Sequence, residues 1–226
     1  MNLTRPSAVP EQLTKREVAE IAIRNAIETG LYKPGQVISQ RQIAEDLGLS
    51  VTPIREAVLV MMGNGIVDRH KHHSIKVCEI DEKRLREIFS VRRILEQQAV
   101  RLAAANMTPE IIARLDRLNR MLDIMEAGDD PATINPIDRE FHQTIFAAAG
   151  NDALIWTIDK VKSSFPMYAL WGESGRIGKS VAEHRDLIEA LGAGDAEASA
   201  EVQGRHLANG LDDLLIFLDR EKQAQA

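Results

Sequence analysis

The sequence predicts a mainly α-helical protein in two parts: helices with a small β-ribbon, followed by an all-α helical bundle. Three observations lead to this prediction. Aromatic residues make up 4% of the 226 residues, while Ala, Leu, Ile, Arg and Glu are plentiful, a composition that favours helix. Apolar residues recur at helical spacing along most of the chain. Alternation typical of strands is confined to "IVDR" and "SIKVCEI", which flank a polar tip.

Composition limits the class of protein. Hydrophobic residues make up 44% of the chain and charged residues 27%, as in ordinary globular proteins. No apolar run approaches the ~18 residues that would cross a bilayer, so no membrane partner is expected. The single cysteine, Cys78, cannot form an internal disulfide, which fits a reducing, cytoplasmic location. Residues 1–10 lack the apolar core of a signal peptide and are expected to form a disordered arm.

The net charge of −6 is unevenly distributed along the chain. Residues 1–78 carry 10 Lys and Arg against 8 Asp and Glu, whereas residues 79–226 carry 18 against 26. A chain whose charge changes in this way is typical of two modules with different partners.

Start and stop signals predict three helices before the β-ribbon. The first helix is expected over residues 11–29. Ser39 with Gln42 forms a capping box that opens a short second helix, and Ser50 caps the third. Helix, short helix, glycine turn, helix and β-ribbon is the order of a winged helix-turn-helix, here over residues 11–79. Short helices joined by glycine turns also occur in other all-α domains, so the pattern alone leaves DNA binding open.

The third helix would be the recognition helix of such a domain, and its first turn reads "SVTPIRE". The hydroxyls of Ser50 and Thr52 and the helix N-terminus suit contact with phosphate. The forked guanidinium of Arg55 could reach a guanine edge, and Arg41 on the second helix is expected to point to the same side. Each arginine could equally be a solvated surface charge.

Residues 80–222 are predicted to form an all-α bundle of six helices. The fourth of these is expected to run towards Leu170 and the last to about Leu218. Ser180 with Glu183 is predicted to be a second capping box. In chain order, the expected helix starts are Asp81, Thr108, Asn135 with Pro136, Asp152, Ser180 and Asp195.

Four side chains in the bundle form a candidate metal site. Asp138 and His142 are four residues apart, which places them on one face of a helix. His184 and His206 each lie among apolar residues on later helices. Nitrogen and oxygen ligands without a thiolate suit Zn²⁺, Ni²⁺, Mn²⁺ or Fe²⁺. A histidine beside apolar residues is more often a satisfied core side chain, and spacing alone leaves both interpretations open.

The stretch "AIETGLYKPGQVISQRQIAEDLGLSVTPIREAVLVMMGNGIV" resembles the DNA-binding domain of the GntR family of bacterial transcription regulators, and the match extends over most of residues 12–78. Two departures stand out. The family usually has an arginine immediately after the serine that corresponds to Ser50, and here the residue is Val51. The wing tip "RHKHHS" lacks the glycine that is often found there. Arg69 and Lys71 of this tip are expected to contact phosphate or the minor groove.

The stretches "VRRILEQQAVRLAA", "DREFHQTIFAAAGN" and "EHRDLIEALGAGDAEASAEVQGRHL" resemble the FCD effector domain of the FadR subfamily. The resemblance implies a divalent metal ion held by one Asp and three His, which match Asp138, His142, His184 and His206. Four ligands could close a tetrahedral structural site, or an octahedral ion could leave two positions for an effector carboxylate. Arg92, in an R-x-x-x-E pattern with Glu96, would bind that carboxylate or only form an intrahelical salt bridge.

Together these resemblances imply a homodimeric transcription regulator, expected to be a repressor, that binds a pseudo-palindromic operator and senses a small carboxylic acid. Two alternatives stay open. In the first, the metal ion is itself the signal. In the second, the site is a catalytic metal centre, but an enzyme would leave the winged helix unexplained, and we expect no enzymatic activity.

Overall fold

The computed structural model describes residues 13–28, 30–79, 82–125, 131–162, 171 and 175–224. Within them the fold is mainly helical with one small sheet, which confirms the predicted fold class. The arm predicted for residues 1–10 and the cap predicted at Asp81 lie outside the described residues. No helix in the described ranges is both long and apolar enough to cross a membrane.

The N-terminal part packs three helices against a three-stranded antiparallel sheet. Its elements are α1 (Lys15–Glu28), β1 (Val37–Ser39), α2 (Gln40–Asp46), α3 (Val51–Gly63), β2 (Val67–Arg69) and β3 (Ser74–Val77). The strand order is β1-β3-β2. The sequence predicted only the two strands of the ribbon and missed β1, which lies between the Pro-Gly turn and the capping box at Ser39. Apolar side chains from all three helices and the sheet form one core, which includes Ile23, Ile43, Ile54, Met61 and Ile75.

The predicted helix caps are only partly confirmed. The Ser39 hydroxyl accepts a hydrogen bond from the Gln42 amide at 3.1 Å, as a capping box requires. The Gln42 side chain instead donates to Asp46 at 2.7 Å. Ser50 occupies the N-cap position of α3 without making a side-chain cap.

The C-terminal part contains six described helices. They are α4 (Glu82–Ala104), α5 (Pro109–Asp123), α6 (Pro131–Ala148), α7 (Asp152–Lys162), α8 (Arg176–Gly192) and α9 (Ala196–Ala224). Hydrogen bonds from Gln97 to Ala200 and from Arg101 to Glu197 show that α4 and α9 run antiparallel. Two apolar clusters fill the bundle, one around Phe141 and one around Trp171. Charged and polar side chains are buried in the same helices.

Two predicted helix starts are wrong, and both errors concern the helices that carry the candidate site. α6 begins at Pro131, a residue suited to the first helical position, and Pro136 lies inside it. α8 begins at Arg176 after Gly175, whose φ is 81°. Ser180 is therefore an interior helix residue and not a cap. Asp138, His142 and His184 consequently lie in the interior of their helices and not in the first turns, and all three are buried.

The other predicted helix ends differ less. Thr108 caps α5, since its hydroxyl accepts a hydrogen bond from the Ile111 amide at 3.3 Å. The Asp195 carboxylate accepts from the Ala198 amide at 3.0 Å, so Asp195 caps α9. α9 continues to Ala224, beyond the predicted end at Leu218. The predicted continuation of α7 to Leu170 lies outside the described residues.

An arginine of the C-terminal part contacts the N-terminal part just after α3. Nη2 of Arg84, in the first turn of α4, donates to the carbonyl oxygen of Gly65 at 2.9 Å. Gly65 has a φ of 65°, and a Cβ added there would collide with the Arg84 guanidinium. Gly65 is therefore required both for its backbone conformation and for the approach of Arg84.

Replacing Gly65 should destabilise the protein more than replacing a glycine with the same backbone conformation and free space around it. Gly48→Ala adds a side chain at φ 64° without meeting another atom within 4 Å, so it should cost only about 1–2 kcal/mol of strain. Gly65→Ala should cost a further ~0.5–1.5 kcal/mol, because the Arg84 hydrogen bond is lost. Denaturant unfolding measures both. Gly63→Ala, at the helical end of α3, should be neutral or slightly stabilising. Equal effects at Gly48 and Gly65 would contradict the inter-domain contact.

Candidate metal centre and nucleic-acid interface

The four predicted ligands converge in the middle of the helical bundle. Asp138 and His142 come from α6, His184 from α8 and His206 from α9, and all four are buried. One ring nitrogen of each histidine lies within 4.8 Å of the others. The three rings form an even triangle, because every pair of ring centroids is 5.1 Å apart.

The Asp138 carboxylate lies beside two of these three rings. Its Oδ1 lies 3.8 Å from Nε2 of His142 and 3.7 Å from Nε2 of His184. Ligands at ~2.1 Å from a tetrahedral ion are about 3.4 Å apart. The two separations from Asp138 therefore exceed that spacing by a few tenths of an ångström, whereas the ring nitrogens of the three histidines lie within 4.8 Å of one another, so the side chains would have to draw together around an ion.

The ring nitrogens fit a metal ion because they are buried without partners. Nδ1 of His142 and both ring nitrogens of His184 have no hydrogen-bond partner in the described part of the chain. Burial lowers the pKa of both histidines well below the usual value, so each ring is neutral and offers a lone pair. Burial also raises the pKa of Asp138. A cation at the centre would bind one nitrogen of each ring and offset the burial of the carboxylate.

Glu183 fixes the orientation of the third histidine. Its Oε2 lies 2.7 Å from Nδ1 of His206, which donates to it, and its Oε1 accepts from Asn209 at 2.6 Å. Burial alone would raise the pKa of Glu183, but these hydrogen bonds and the charge of Arg176 outweigh it and lower that pKa. Since Nδ1 is engaged, Nε2 of His206 is the nitrogen left for an ion. The sequence assigned Glu183 to a capping box and missed this contact.

Arg92 forms the intrahelical ion pair, one of the two interactions left open for it, in a buried environment. Its Nε donates to Oε1 of Glu96 at 2.7 Å, and both side chains are buried. Oε2 of Glu96 accepts from Gln203 on α9 at 2.9 Å. Burial would raise the pKa of Glu96, but the charge of Arg92 outweighs it and lowers that pKa. The Arg92 guanidinium also lies over the Phe89 ring, 4.5 Å from its centroid.

A second cation beside the centre was not predicted. Lys162 is the last residue of α7, and its Nζ lies 5.6 Å from the centroid of the Phe146 ring. The same ring is 6.0 Å from that of His142. Burial lowers the pKa of Lys162. Nothing in the local sequence marks this lysine, because only the packing of α7 on the bundle brings it inward.

The predicted DNA-contacting residues lie on the exposed side of α3 and on the wing. Arg55 and Arg69 line one groove, of about 490 Å³, between the recognition helix and the β2–β3 hairpin. Thr52 is exposed in the first turn of α3, and Lys71 is exposed at the wing tip. Arg41 is exposed on α2 and pairs with Glu45 at 2.9 Å.

The wing tip adopts a backbone conformation that normally favours glycine. His72 has a φ of 54° and His73 a φ of 59°, both in the left-handed region. This conformation explains why a glycine is common at such a tip. Here two histidines adopt it at a conformational cost.

Comparison with known proteins identifies both parts of the chain. Residues 14–77 match the model of bacterial regulatory proteins of the gntR family, and residues 87–209 match the FCD domain. This chain belongs to the GntR family. It is a DNA-binding transcriptional regulator and not an enzyme, so the catalytic alternative is set aside.

Individual relatives agree with this assignment. The chain is 28% identical to the HTH-type transcriptional regulator McbR of Escherichia coli over 195 residues, which are 82% of this chain and 88% of McbR. It is 28% identical to a probable D-xylose utilization operon transcriptional repressor of Paenarthrobacter nicotinovorans over 206 residues, 89% of this chain and 90% of the relative. The solved structure of E. coli McbR/YncC superposes with a TM-score of 0.79 at 25% identity, covering 90% of this chain and 98% of that chain.

The contact between Glu183 and His206 predicts a specific loss in Glu183→Gln. An amide keeps the size of the side chain but removes the charge that holds His206 with Nε2 inward. Metal affinity should fall by ~10–100-fold, measured by competition with a chromophoric chelator. Glu140→Gln is the matched control, because Glu140 lies on the exposed side of α6 and pairs with Arg114. Unchanged affinity in Glu183→Gln would mean that Glu183 does not orient a ligand.

Proposed function

We propose that this regulator is a homodimeric repressor whose FCD domain holds a divalent metal ion and senses a small carboxylic acid. Asp138, His142, His184 and His206 would hold the ion, which would be Zn²⁺, Ni²⁺, Mn²⁺ or Fe²⁺. The observation that supports this most strongly is that three imidazoles and a carboxylate lie close together in the interior. When bound, the ion would supply a Lewis-acidic centre that attracts a carboxylate oxygen.

The charges buried around the centre support an anionic effector. Among the described residues, Arg92 is buried beside the centre and Lys162 lies near the Phe146 ring, which contacts His142. A divalent ion would add two further positive charges. Because unpaired charge is unfavourable in the interior, a carboxylate would offset part of this positive charge. Arg92 and Lys162 are the cations that we propose to attract it.

DNA binding is proposed to use α3 and the wing. Arg55 would contact a base edge, while Ser50, Thr52 and the N-terminus of α3 would contact phosphates. Arg41, Arg69 and Lys71 would add phosphate or minor-groove contacts. Two copies would then read the half-sites of a pseudo-palindromic operator, about 34 Å or a multiple of it apart. The homodimer is proposed because such an operator has two half-sites.

α4 provides a direct connection between the two sites. It carries Arg92 beside the metal centre, and it carries Arg84, which donates to Gly65 at the end of the recognition helix. A ligand that favours one packing of α4 would also favour one placement of α3.

One observation favours a second candidate function, in which the metal ion itself is the signal. The charge of Arg92 is already paired with Glu96, a pair further held by Gln203, and an acid would have to compete with that pair. A signalling ion would have to exchange readily, whereas an ion that serves as the floor of an effector site would survive dialysis.

Thermal unfolding with and without metal tests the proposal. Protein stripped with a chelator and protein reloaded with Zn²⁺ would each be screened against small mono-, di- and hydroxycarboxylates. An acid at ~100 times its dissociation constant should add about 2.7 kcal/mol of stability, but only to the reloaded protein. Stabilisation by metal with no further effect of any acid would favour the ion as the signal. Equal stabilisation of stripped protein by an acid would contradict a metal-dependent effector site.

Arg55→Ala tests the DNA-binding surface. Losing a base contact should cost about 1–3 kcal/mol of operator affinity and relax the preference at one base position. Lys71→Ala is the comparison, because losing a phosphate contact should weaken binding to all sequences alike and reduce its salt dependence. Fluorescence anisotropy over a salt series and a set of operator variants measures both. An unchanged base preference in Arg55→Ala would remove Arg55 from the reading surface.

A further inference from the structure

Three buried polar side chains lie at one level of the bundle, on one side of the metal centre. Arg114 on α5 pairs with Glu140 on α6 at 2.8 Å. The two helices run antiparallel. Arg114 is near the start of α5 and pairs with Glu140, whereas Leu122, near the end of α5, shares an apolar cluster with Ile134, near the start of α6. Asn119 follows Arg114 by five residues on α5, and Asn135 precedes Glu140 by five residues on α6. Asn119 and Asn135 therefore lie level with each other.

The third side chain comes from α8. Nδ2 of Asn119 donates to the carbonyl oxygen of Val181 at 3.1 Å, which places Asn119 beside Ser180. A Cβ on Gly192 would contact Ile112 at 4.0 Å, so α8 also runs antiparallel to α5 and hence parallel to α6. All three side chains are buried. Asn119, Asn135 and Ser180 are called the amide layer below.

The amide layer lies next to the proposed metal ligands. Asn135 precedes Asp138 by three residues on α6, and Ser180 precedes His184 by four residues on α8. Since the two helices are parallel, both steps go in the same direction and each spans about one helical turn, ~5 Å along the axis. A small molecule with one end at the ion could therefore reach the amide layer with the other.

Each member of the amide layer offers a polar atom that has no hydrogen-bond partner among the described residues. The Trp171 indole can only donate, and it donates to Oδ1 of Asn135, which leaves Nδ2 of Asn135 as a free donor. The Val181 carbonyl can only accept, so Oδ1 of Asn119 is a free acceptor. The Ser180 hydroxyl can do both. These orientations are fixed by the partner groups.

We propose that the amide layer binds hydroxyl groups of the effector, so that the effector is a hydroxylated acid. This inference rests on the proposed function, because the carboxylate of the same molecule would lie at the metal centre. A second carboxylate would bring acceptor atoms against Oδ1 of Asn119, which is also an acceptor. An apolar tail would leave all three atoms unpaired. A hydroxyl group donates to Asn119 and accepts from Asn135, and it can do either with Ser180.

Isothermal titration of the Zn²⁺-loaded full chain with matched acids tests the proposal. The probes are propanoate, lactate and glycerate, which differ only in hydroxyl number, together with hexanoate and gluconate as a longer pair. Glycerate or gluconate should bind at least about tenfold more tightly than its unhydroxylated match. Asn119→Leu, Asn135→Leu and Ser180→Ala should each reduce that preference, because each removes one partner of a hydroxyl group. Asn106→Ala, which changes an exposed amide at the end of α4, should leave it unaltered.

The possible results distinguish the hydroxyl-binding role of the amide layer from the acid-sensing function on which it rests. If hydroxylated and unhydroxylated acids bind wild type equally well, the site for a carboxylate stands and the hydroxyl role of the amide layer is wrong. If the preference persists in all three variants, the layer holds only water. If none of the five acids binds the Zn²⁺-loaded chain, both the inference and the acid-sensing function are overturned.

Discussion

The burial of charged side chains in the middle of the helical bundle is the constraint on which the rest of this domain depends. Two apolar clusters, one around Phe141 and one around Trp171, share the bundle with buried acids, bases and imidazoles. Removing one partner of a buried ion pair typically costs about 3–5 kcal/mol, so each charge needs a fixed partner. Arg176 bridges Glu183 and Asp213, joining α8 to α9.

These pairings account for much of the local order. Glu96 accepts hydrogen bonds from Arg92 on its own helix and from Gln203 on α9. Glu183 accepts one from His206. The imidazoles of His142 and His184 differ, since they have ring nitrogens that are buried without a hydrogen-bond partner among the described residues. Three imidazoles and a carboxylate close together in the interior form a set of metal-ligating groups, which is the strongest argument that an ion belongs there.

Much of the fold and part of the site could be predicted from the sequence. Helical periodicity located the six helices that the structure describes in the bundle, and the four-residue spacing of Asp138 and His142 placed two candidate ligands on one face. The predicted helix starts were wrong where residues with the pattern of a start signal have a different role in the structure. Ser180 and Glu183 have the spacing of a capping box. Ser180 lies inside α8, however, and Glu183 accepts a hydrogen bond from His206. The roles of Lys162, Glu183 and Arg84 depend on contacts between distant segments, which periodicity does not reveal.

The most direct test of the account is crystallographic. Diffraction data from the protein as purified, collected on both sides of the absorption edges of the candidate metals, would show whether an ion lies among these side chains. The account predicts one anomalous peak per chain, about 2.0–2.2 Å from a ring nitrogen of His142, His184 and His206 and from an oxygen of Asp138. Ordered water hydrogen-bonded to the imidazoles, with no anomalous peak even after soaking in Zn²⁺, would contradict it.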